Sequence, residues 1–179
     1  MYTKLDDIEK NEYYQDYYAI VQDIIEDDDF QKLKLIKHHT SSIYDHVLDV
    51  SYWAFYFCRK MNLDEVSAAR AGLLHDFICY RWRDLAEKRS TWKHCMKHPL
   101  EALENAKERF VLNENEEIII KNHMWPMSYG FPSSKEAIIV SLLDKYCATV
   151  EFLLPKRSKN YLPRFILLEL IRRRVFVEA

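Results

Sequence analysis

The amino-acid sequence predicts an all-α fold, a single-domain helical bundle. Only two glycines serve 179 residues, whereas sheets joined by tight turns usually need more glycine. Apolar residues repeat at helical spacing in several long segments, most clearly at Val47, Val50, Ala54 and Phe57. Apolar residues make up 49% of the chain, so it can bury one sizeable core without disulfides. We therefore expect a single domain over residues 1–179.

The first third of the chain predicts three helices. Their ranges are Glu12 to Glu26, Phe30 to about His38, and Ile43 to Met61. Aspartates just before Phe30 and two serines, Ser41 and Ser42, just before Ile43 are residues that cap helix N-termini. The helices over 12–38 are expected to extend the same domain, whose motif-bearing core covers about 43–150.

The middle of the chain predicts two helices separated by an irregular segment. Asp64 caps a helix from Glu65 to about Asp76, in which small residues permit close helix packing. From Phe77 to Lys97 the pattern is irregular and indicates loop and short helix over a site. Pro99 fits the first turn of a helix that runs to about Phe110.

Three further helices are predicted in the last third of the chain. They are one from Asn115 to Met124, one opened by Ser133 or Ser134 that runs to about Leu154, and one over 163–177. Asn113 with Glu116 resembles a capping box at the start of the first. We expect the last helix, over 163–177, to extend the same domain.

The composition argues against several classes of protein. The formal net charge is −2, which gives no general attraction to nucleic acid or anionic membranes. No apolar stretch approaches the roughly 20 residues that span a bilayer, and the N-terminus shows no export signal. The cysteines form no Cys-x-x-Cys pair; they are Cys58, Cys79, Cys95 and Cys147. We expect a soluble, cytoplasmic protein with reduced thiols, no membrane association and no sequence-specific nucleic-acid partner.

The dipeptide His75-Asp76 is the most informative local feature, because it closes the small and apolar run Ala71-Gly72-Leu73-Leu74. Burying an imidazole and a carboxylate without partners costs several kcal/mol. Either a shared cation or a dense hydrogen-bond network is therefore needed. Both alternatives are open at this point.

Four other residues could supply metal ligands, because imidazole and carboxylate are groups that divalent metals accept. They are His46, His98, His123 and Asp144. Asp144 stands in an apolar helix and needs a partner, and Lys145 is expected to point elsewhere because adjacent helical residues diverge. The alternatives are a satisfied core or surface role for His46, an exposed position for Asp144, a surface position for His98 and a helix-dipole contact for His123.

These residues resemble the pattern of the HD superfamily of metal-dependent phosphohydrolases, which has one His, a His-Asp doublet and a distant Asp. The match is carried by His46, Ala71-Gly72-Leu73-Leu74-His75-Asp76 and Asp144. It covers about Ile43 to Val150. The resemblance implies an all-α bundle of the HD-domain type and a metal-dependent hydrolase.

Dinuclear members of this superfamily place two further histidines between the doublet and the final Asp, where His98 and His123 stand here. The resemblance implies that His46, His75 and Asp144 hold one divalent ion, that His98 and His123 hold a second, and that Asp76 bridges them. His94 is a rival second-metal ligand or a phosphate contact. Ligand types do not distinguish Fe, Mn, Zn, Ni, Co or Mg.

The implied reaction is attack of a metal-activated water on a phosphate ester or anhydride of a small molecule, for which a nucleotide is one candidate. Candidate phosphate contacts are Arg81, Arg83, His94, Lys121 and Lys145. Each cationic residue is equally well an ordinary surface charge. The chain lacks the Gly-Tyr-Pro tripeptide of cyclic-dinucleotide phosphodiesterases and has Cys79 where deoxynucleotidase-like members have a catalytic Glu. Diadenosine-tetraphosphate hydrolases, which use the six-ligand pattern, are the nearest analogy.

Two other functions use the same residues. Di-iron oxygenases resembling myo-inositol oxygenase and the phosphonate-degrading oxygenases have the six-ligand set but activate dioxygen. A non-catalytic binding protein with a structural metal is the other alternative. The C-terminal helix could serve partner binding, the core, or a homodimer face.

Overall fold

The computed structural model describes residues 12–38, 41–78, 91–127 and 130–153, and these are mainly helical. The helices are α1 (Glu12–Ile25), α2 (Asp28–Gln31), α3 (Ile43–Lys60), α4 (Glu65–Leu74), α5 (Thr91–Arg109), α6 (Glu114–Asn122) and α7 (Lys135–Leu153). Two-residue strands, β1 (Lys37–His38) and β2 (Ser41–Ser42), pair antiparallel just before α3. The predicted all-α class is confirmed. None of the described helices combines the length and apolar character that a membrane span needs.

Helix α3 lies at the centre of the core and packs against α1, α4 and α7. Its first turn is fixed by a capping box in which Ser42 and Asp45 each bind the other's backbone N–H. Val47, Val50 and Ala54 of the predicted apolar run are fully buried, whereas Phe57 is exposed. The buried face of α3 therefore follows the helical periodicity of the sequence as far as Cys58, which is fully buried, whereas Phe57 lies outside this face.

Helix α4 packs closely on α3, where Gly72 meets Ser51. A Cβ atom added at Gly72 would lie 2.8 Å from the Cα of Ser51, so only glycine fits this contact. Asp64 caps α4 as expected, with its carboxylate accepting from the backbone N–H of Ser67 at 2.9 Å. The helix ends at Leu74, so His75 and Asp76 follow its last turn.

Arg70 of α4 joins three helices through its guanidinium group. It donates to Asp23 of α1 at 2.6 Å and to Glu116 of α6 at 3.0 Å, and also to the carbonyl oxygen of Ile20. Glu116 is almost completely buried. Arg70 therefore supplies the charge partner that a buried carboxylate needs.

The predicted helix from Phe30 to about His38 is wrong beyond its first turn. Helix α2 ends at Gln31, a 3-10 turn covers Lys32–Leu35, and the chain then enters β1. Ile36 is extended, and its carbonyl oxygen accepts from the backbone N–H of Ile43 at 3.0 Å. This bond links the extended segment to the start of α3, in place of the bonds of a continued helix.

The predicted start of a helix at Pro99 is also wrong, because α5 begins at Thr91 and Pro99 lies inside it. Proline lacks a backbone N–H, so the helix forgoes one internal hydrogen bond at this position. Within the segment predicted as loop and short helix, Thr91 to Lys97 is helical and belongs to α5. Residues 79–90 lie outside the described residues.

Helices α6 and α7 begin at the predicted caps. The capping box of Asn113 and Glu116 is present, with backbone-to-side-chain distances of 2.9 and 2.8 Å. The hydroxyl of Ser134 accepts from the backbone N–H of Ala137 at 3.1 Å at the start of α7. Helix α6 ends at Asn122, so His123 directly follows it. The helix predicted over 163–177 lies outside the described residues.

Candidate metal centre

Six side chains from or beside five helices meet in the interior of the bundle. His46 lies on α3, and His75 and Asp76 directly follow α4. His98 lies on α5, His123 directly follows α6, and Asp144 lies on α7. The four histidines are buried, and the two aspartates are 13% exposed at their side chains. These are the six residues that the sequence indicated as ligands.

The first group of atoms surrounds the Nε2 atoms of His46 and His75. The Oδ1 atom of Asp144 lies 3.1 Å from His46 Nε2 and 3.7 Å from His75 Nε2. The Oδ2 atom of Asp76 lies 3.7 Å from His75 Nε2. His46, His75 and Asp76 each offer one ligand atom, and these atoms lie within 4.8 Å of one another.

The second group surrounds the other oxygen of Asp76. The Nε2 atoms of His98 and His123 are 2.8 Å apart, and the Oδ1 atom of Asp76 lies 3.4 Å from the first and 3.7 Å from the second. These three residues also offer ligand atoms within 4.8 Å of one another. Asp76 thus turns one oxygen toward each group.

Hydrogen bonds outside the cluster fix the orientation of three imidazole rings. His75 donates from Nδ1 to the carbonyl oxygen of Gly72 at 2.8 Å, and His123 donates from Nδ1 to that of Ile120 at 2.7 Å. A carbonyl oxygen only accepts, so both Nδ1 atoms carry a proton. His46 pairs through Nδ1 with the carboxylate of Glu151 at 3.1 Å. In each ring Nε2 is therefore the atom that faces the cluster.

Electrostatics keep both carboxylates ionised. Burial alone would raise the pKa of Asp76, but the imidazoles of His75 and His98 outweigh it and hold that pKa well below its usual range. Burial likewise opposes ionisation of Asp144, whose pKa is held well below its usual range by His46 and His75. Both aspartates can therefore act as anionic ligands at neutral pH.

The histidines differ in protonation. Burial, together with the neighbouring His75 and His98 imidazoles, lowers the pKa of His123 to about 3, so this ring is neutral. Burial alone would lower the pKa of His46, but its contacts with Asp144 and Glu151 raise it to about 10. A cation bound at His46 Nε2 would therefore replace a proton there.

The donor set fits divalent metal ions. Imidazole nitrogen and carboxylate oxygen are the ligands that borderline divalent metals take. Among the described residues, His75 Nε2 is the buried side-chain nitrogen or oxygen that has no hydrogen-bond partner. An unpartnered polar atom of this kind is costly, and a cation at the cluster would satisfy it. Both groups could hold a metal ion.

The direction of the Lys145 side chain differs from the one predicted from the sequence. Its Nζ atom does not point away from Asp144 but donates to Asp144 Oδ2 at 3.0 Å, and it also donates to the carbonyl oxygen of His123. The long lysine stem lets the ammonium fold back onto the preceding residue. Asp144 consequently has Oδ2 engaged by Lys145, and its Oδ1 atom faces His46 and His75.

Two of the other predicted substrate contacts, His94 and Lys121, lie on described helices. The backbone of His94 lies in α5, one helical turn before His98. Lys121 is exposed near the end of α6. Arg81 and Arg83 lie outside the described residues. A role in substrate binding stays a prediction for all of these residues and for Lys145.

Glu151 is a site residue that the sequence prediction missed. It is 2% exposed and lies on α7, two helical turns after Asp144. Asp144 and Glu151 thus occupy the same face of α7, and both reach the His46 ring. A second carboxylate seven residues after the first, in a mainly apolar helix, is the signal that could have found it.

The fold and the cluster define a class: an all-helical protein with a buried histidine and aspartate centre. The model of the HD domain matches residues 43–149, more than half of the chain. The chain therefore belongs to the HD-domain family, whose members are generally metal-dependent hydrolases, and the resemblance seen in the sequence is confirmed at that level. No curated protein and no solved structure gives a significant match.

Proposed function

We propose that this protein is a metal-dependent phosphohydrolase with a two-metal centre, acting on a phosphate ester or anhydride of a small molecule. The observation that carries the proposal is the position of Asp76, which offers one oxygen to each group of histidines. In this proposal His46, His75 and Asp144 hold one ion, His98 and His123 hold the other, and Asp76 is a ligand of both.

A pair of divalent ions, when bound, lowers the pKa of water and stabilises negative charge on a phosphoryl oxygen. The protein keeps the two carboxylates ionised and orients the Nε2 atoms of the imidazoles toward the buried cluster. Asp76 and Asp144 stay ionised for the reasons given above. Lys145 engages Asp144 Oδ2, which leaves Oδ1 toward the histidines.

Six protein donors shared by two ions leave coordination positions for water and a substrate phosphate. The substrate needs cationic partners beside the centre, and we propose Arg81, Arg83, His94, Lys121 and Lys145 as the candidates. The six-ligand arrangement is shared with diadenosine-tetraphosphate hydrolases. Nucleotides and dinucleotides are therefore the first substrates to test.

The proposal is tested with metal-free protein that is reconstituted separately with Mn²⁺, Fe²⁺, Co²⁺, Ni²⁺, Zn²⁺ or Mg²⁺. Phosphate release is measured on generic phosphoesters, nucleotides and dinucleotides, with Asp76→Asn as the control, which keeps the shape of the side chain and removes its charge. We expect turnover by the wild type with at least one metal and none by the variant, whose helical circular-dichroism spectrum is unchanged.

Two results would contradict this function. Oxygen uptake by the iron-loaded protein with a diol or a hydroxyphosphonate, without phosphate release from any phosphoester, would assign it to the di-iron oxygenases instead. Metal removal that unfolds a protein with no turnover on any substrate would indicate a structural metal in a binding protein.

A further inference from the structure

We propose that Glu151 is a positioning residue for one half of the metal centre, holding the His46 ring so that its Nε2 atom faces the first group of ligands. The inference rests on the proposed metal centre but not on the proposed hydrolysis. It concerns a residue that lies two positions beyond the part of the chain that matches the HD domain.

The contact between Glu151 and His46 is buried on both sides. Glu151 Oε1 lies 3.1 Å from His46 Nδ1, and the side chains are 2% and 0% exposed. A carboxylate removed from water carries a large desolvation cost unless it has a charged or donating partner. His46 is such a partner, although 105 positions separate the two residues in the sequence.

Two carboxylates of helix α7 contact the two ring nitrogens of His46. Asp144 Oδ1 lies 3.1 Å from Nε2 and Glu151 Oε1 lies 3.1 Å from Nδ1. Because both carboxylates stand on the same rigid helix, the plane and the direction of the ring are fixed relative to Asp144. The metal ligand Asp144 and the orienting Glu151 therefore act as one unit.

His46 differs in this respect from the two other rings whose outer partner is described. His75 and His123 donate from Nδ1 to neutral backbone carbonyl oxygens, those of Gly72 and Ile120. A carboxylate partner makes an imidazole a stronger ligand than a carbonyl partner does. Loss of such an outer partner typically weakens metal binding by about 10- to 100-fold. We expect that loss in the half-centre of His46 alone.

The experiment measures Co²⁺ affinity by competition with a chelator in two backgrounds. His98→Ala leaves the half-centre that contains His46, and His46→Ala leaves the half-centre of His98 and His123. In the first background Glu151→Leu is expected to weaken Co²⁺ binding by about 10- to 100-fold. In the second background it is expected to change nothing, because Glu151 acts through His46.

Glu136→Gln is the matched control, because Glu136 is a buried glutamate of the same helix whose carboxylate accepts from the backbone N–H of Asp64. It should leave Co²⁺ affinity unchanged in both backgrounds. Nitrogen-15 NMR of the metal-free protein supplies a readout without metal. The Nδ1 chemical shift of His46 should change in Glu151→Leu, which removes the carboxylate partner of that atom, and should stay as in the wild type in Glu136→Gln.

The possible outcomes separate this inference from the proposed function. Unchanged Co²⁺ affinity in Glu151→Leu, or an equal loss in both backgrounds, overturns the proposal. If Glu151→Leu does not fold, Glu151→Ala decides, because it also removes the acceptor: a loss confined to the His98→Ala background supports the role, and no loss overturns it. A wild type that binds no metal ion at all overturns both this inference and the proposed function, whereas normal wild-type binding with unaffected variants overturns this inference alone.

Discussion

Replacing Gly72 by alanine tests the close approach of α4 to α3. A Cβ at this position would lie 2.8 Å from Ser51 Cα, whereas ordinary van der Waals contact begins at 3.4 Å. The nearest atom belongs to the backbone, so no side-chain rotation relieves the overlap. Helix α4 must therefore move away from α3 by about 0.6 Å to restore ordinary contact.

The sign of the effect separates packing from helix propensity. In a helix without this contact, Gly→Ala stabilises by about 0.5–1 kcal/mol. Overpacking costs about 1–3 kcal/mol, and the displaced α4 also carries the carbonyl oxygen that orients His75. The propensity gain offsets part of this cost and leaves a net loss of up to about 2.5 kcal/mol. In a protein of this size 1 kcal/mol corresponds to about 2–4 °C, so the Tm of metal-free Gly72→Ala should fall by up to about 10 °C.

Thermal denaturation followed by circular dichroism measures this change on the metal-free protein, and chelator competition measures the metal affinity, which should fall too. Val66→Ala is the control, because Val66 lies on the exposed side of the same helix; its stability should stay within about 0.5 kcal/mol of the wild type. A Tm for Gly72→Ala equal to or above that of the wild type would refute the packing argument.

Other predictions concern stability. Arg70→Met should lower the free energy of unfolding by about 3 kcal/mol, because it leaves buried Glu116 without its cation. Urea denaturation measures this loss. The control is Lys107→Met, at an exposed ion pair, which should cost under about 1 kcal/mol. A loss in Arg70→Met no larger than in that control would contradict the role of the buried pair. Asn113→Ala should cost about 1 kcal/mol by removing the cap of α6, with the metal content unchanged. Adding metal at about 100 times its Kd should stabilise the protein by about 2.7 kcal/mol per bound ion, which differential scanning calorimetry with and without a chelator measures; an unchanged Tm would contradict metal binding to the folded state.

Local signals in the sequence predicted the helix starts well. The caps at Asp64 and at Asn113 were confirmed because a cap depends on residues three positions apart. The helix predicted after Phe30 is wrong beyond its first turn, because Ile36 is extended and its carbonyl oxygen bonds to Ile43 at the start of the next helix. The local residue pattern does not show this contact. The helix start predicted at Pro99 is wrong, because a proline that fits a helix start can also lie within a helix.

At the candidate site, too, residue types were predictable from the sequence, whereas contacts between different helices were not. The types and order of the six candidate ligands predict a metal centre, and the structure brings their side chains together. The sequence could not reveal how the oxygens of Asp76 divide between the two groups, because that depends on the angles between five helices. Glu151 was missed because its partner His46 is on another helix. The expected direction of the Lys145 side chain was wrong because a flexible side chain can fold back onto its neighbour.

The number of metal ions per chain tests the central claim most directly. It is measured by elemental analysis after reconstitution and removal of free metal, for the wild type, His98→Ala and His75→Ala. We predict two ions in the wild type, one in His98→Ala, and one in His75→Ala together with loss of activity. One ion in both the wild type and His98→Ala would contradict the two-metal centre bridged by Asp76.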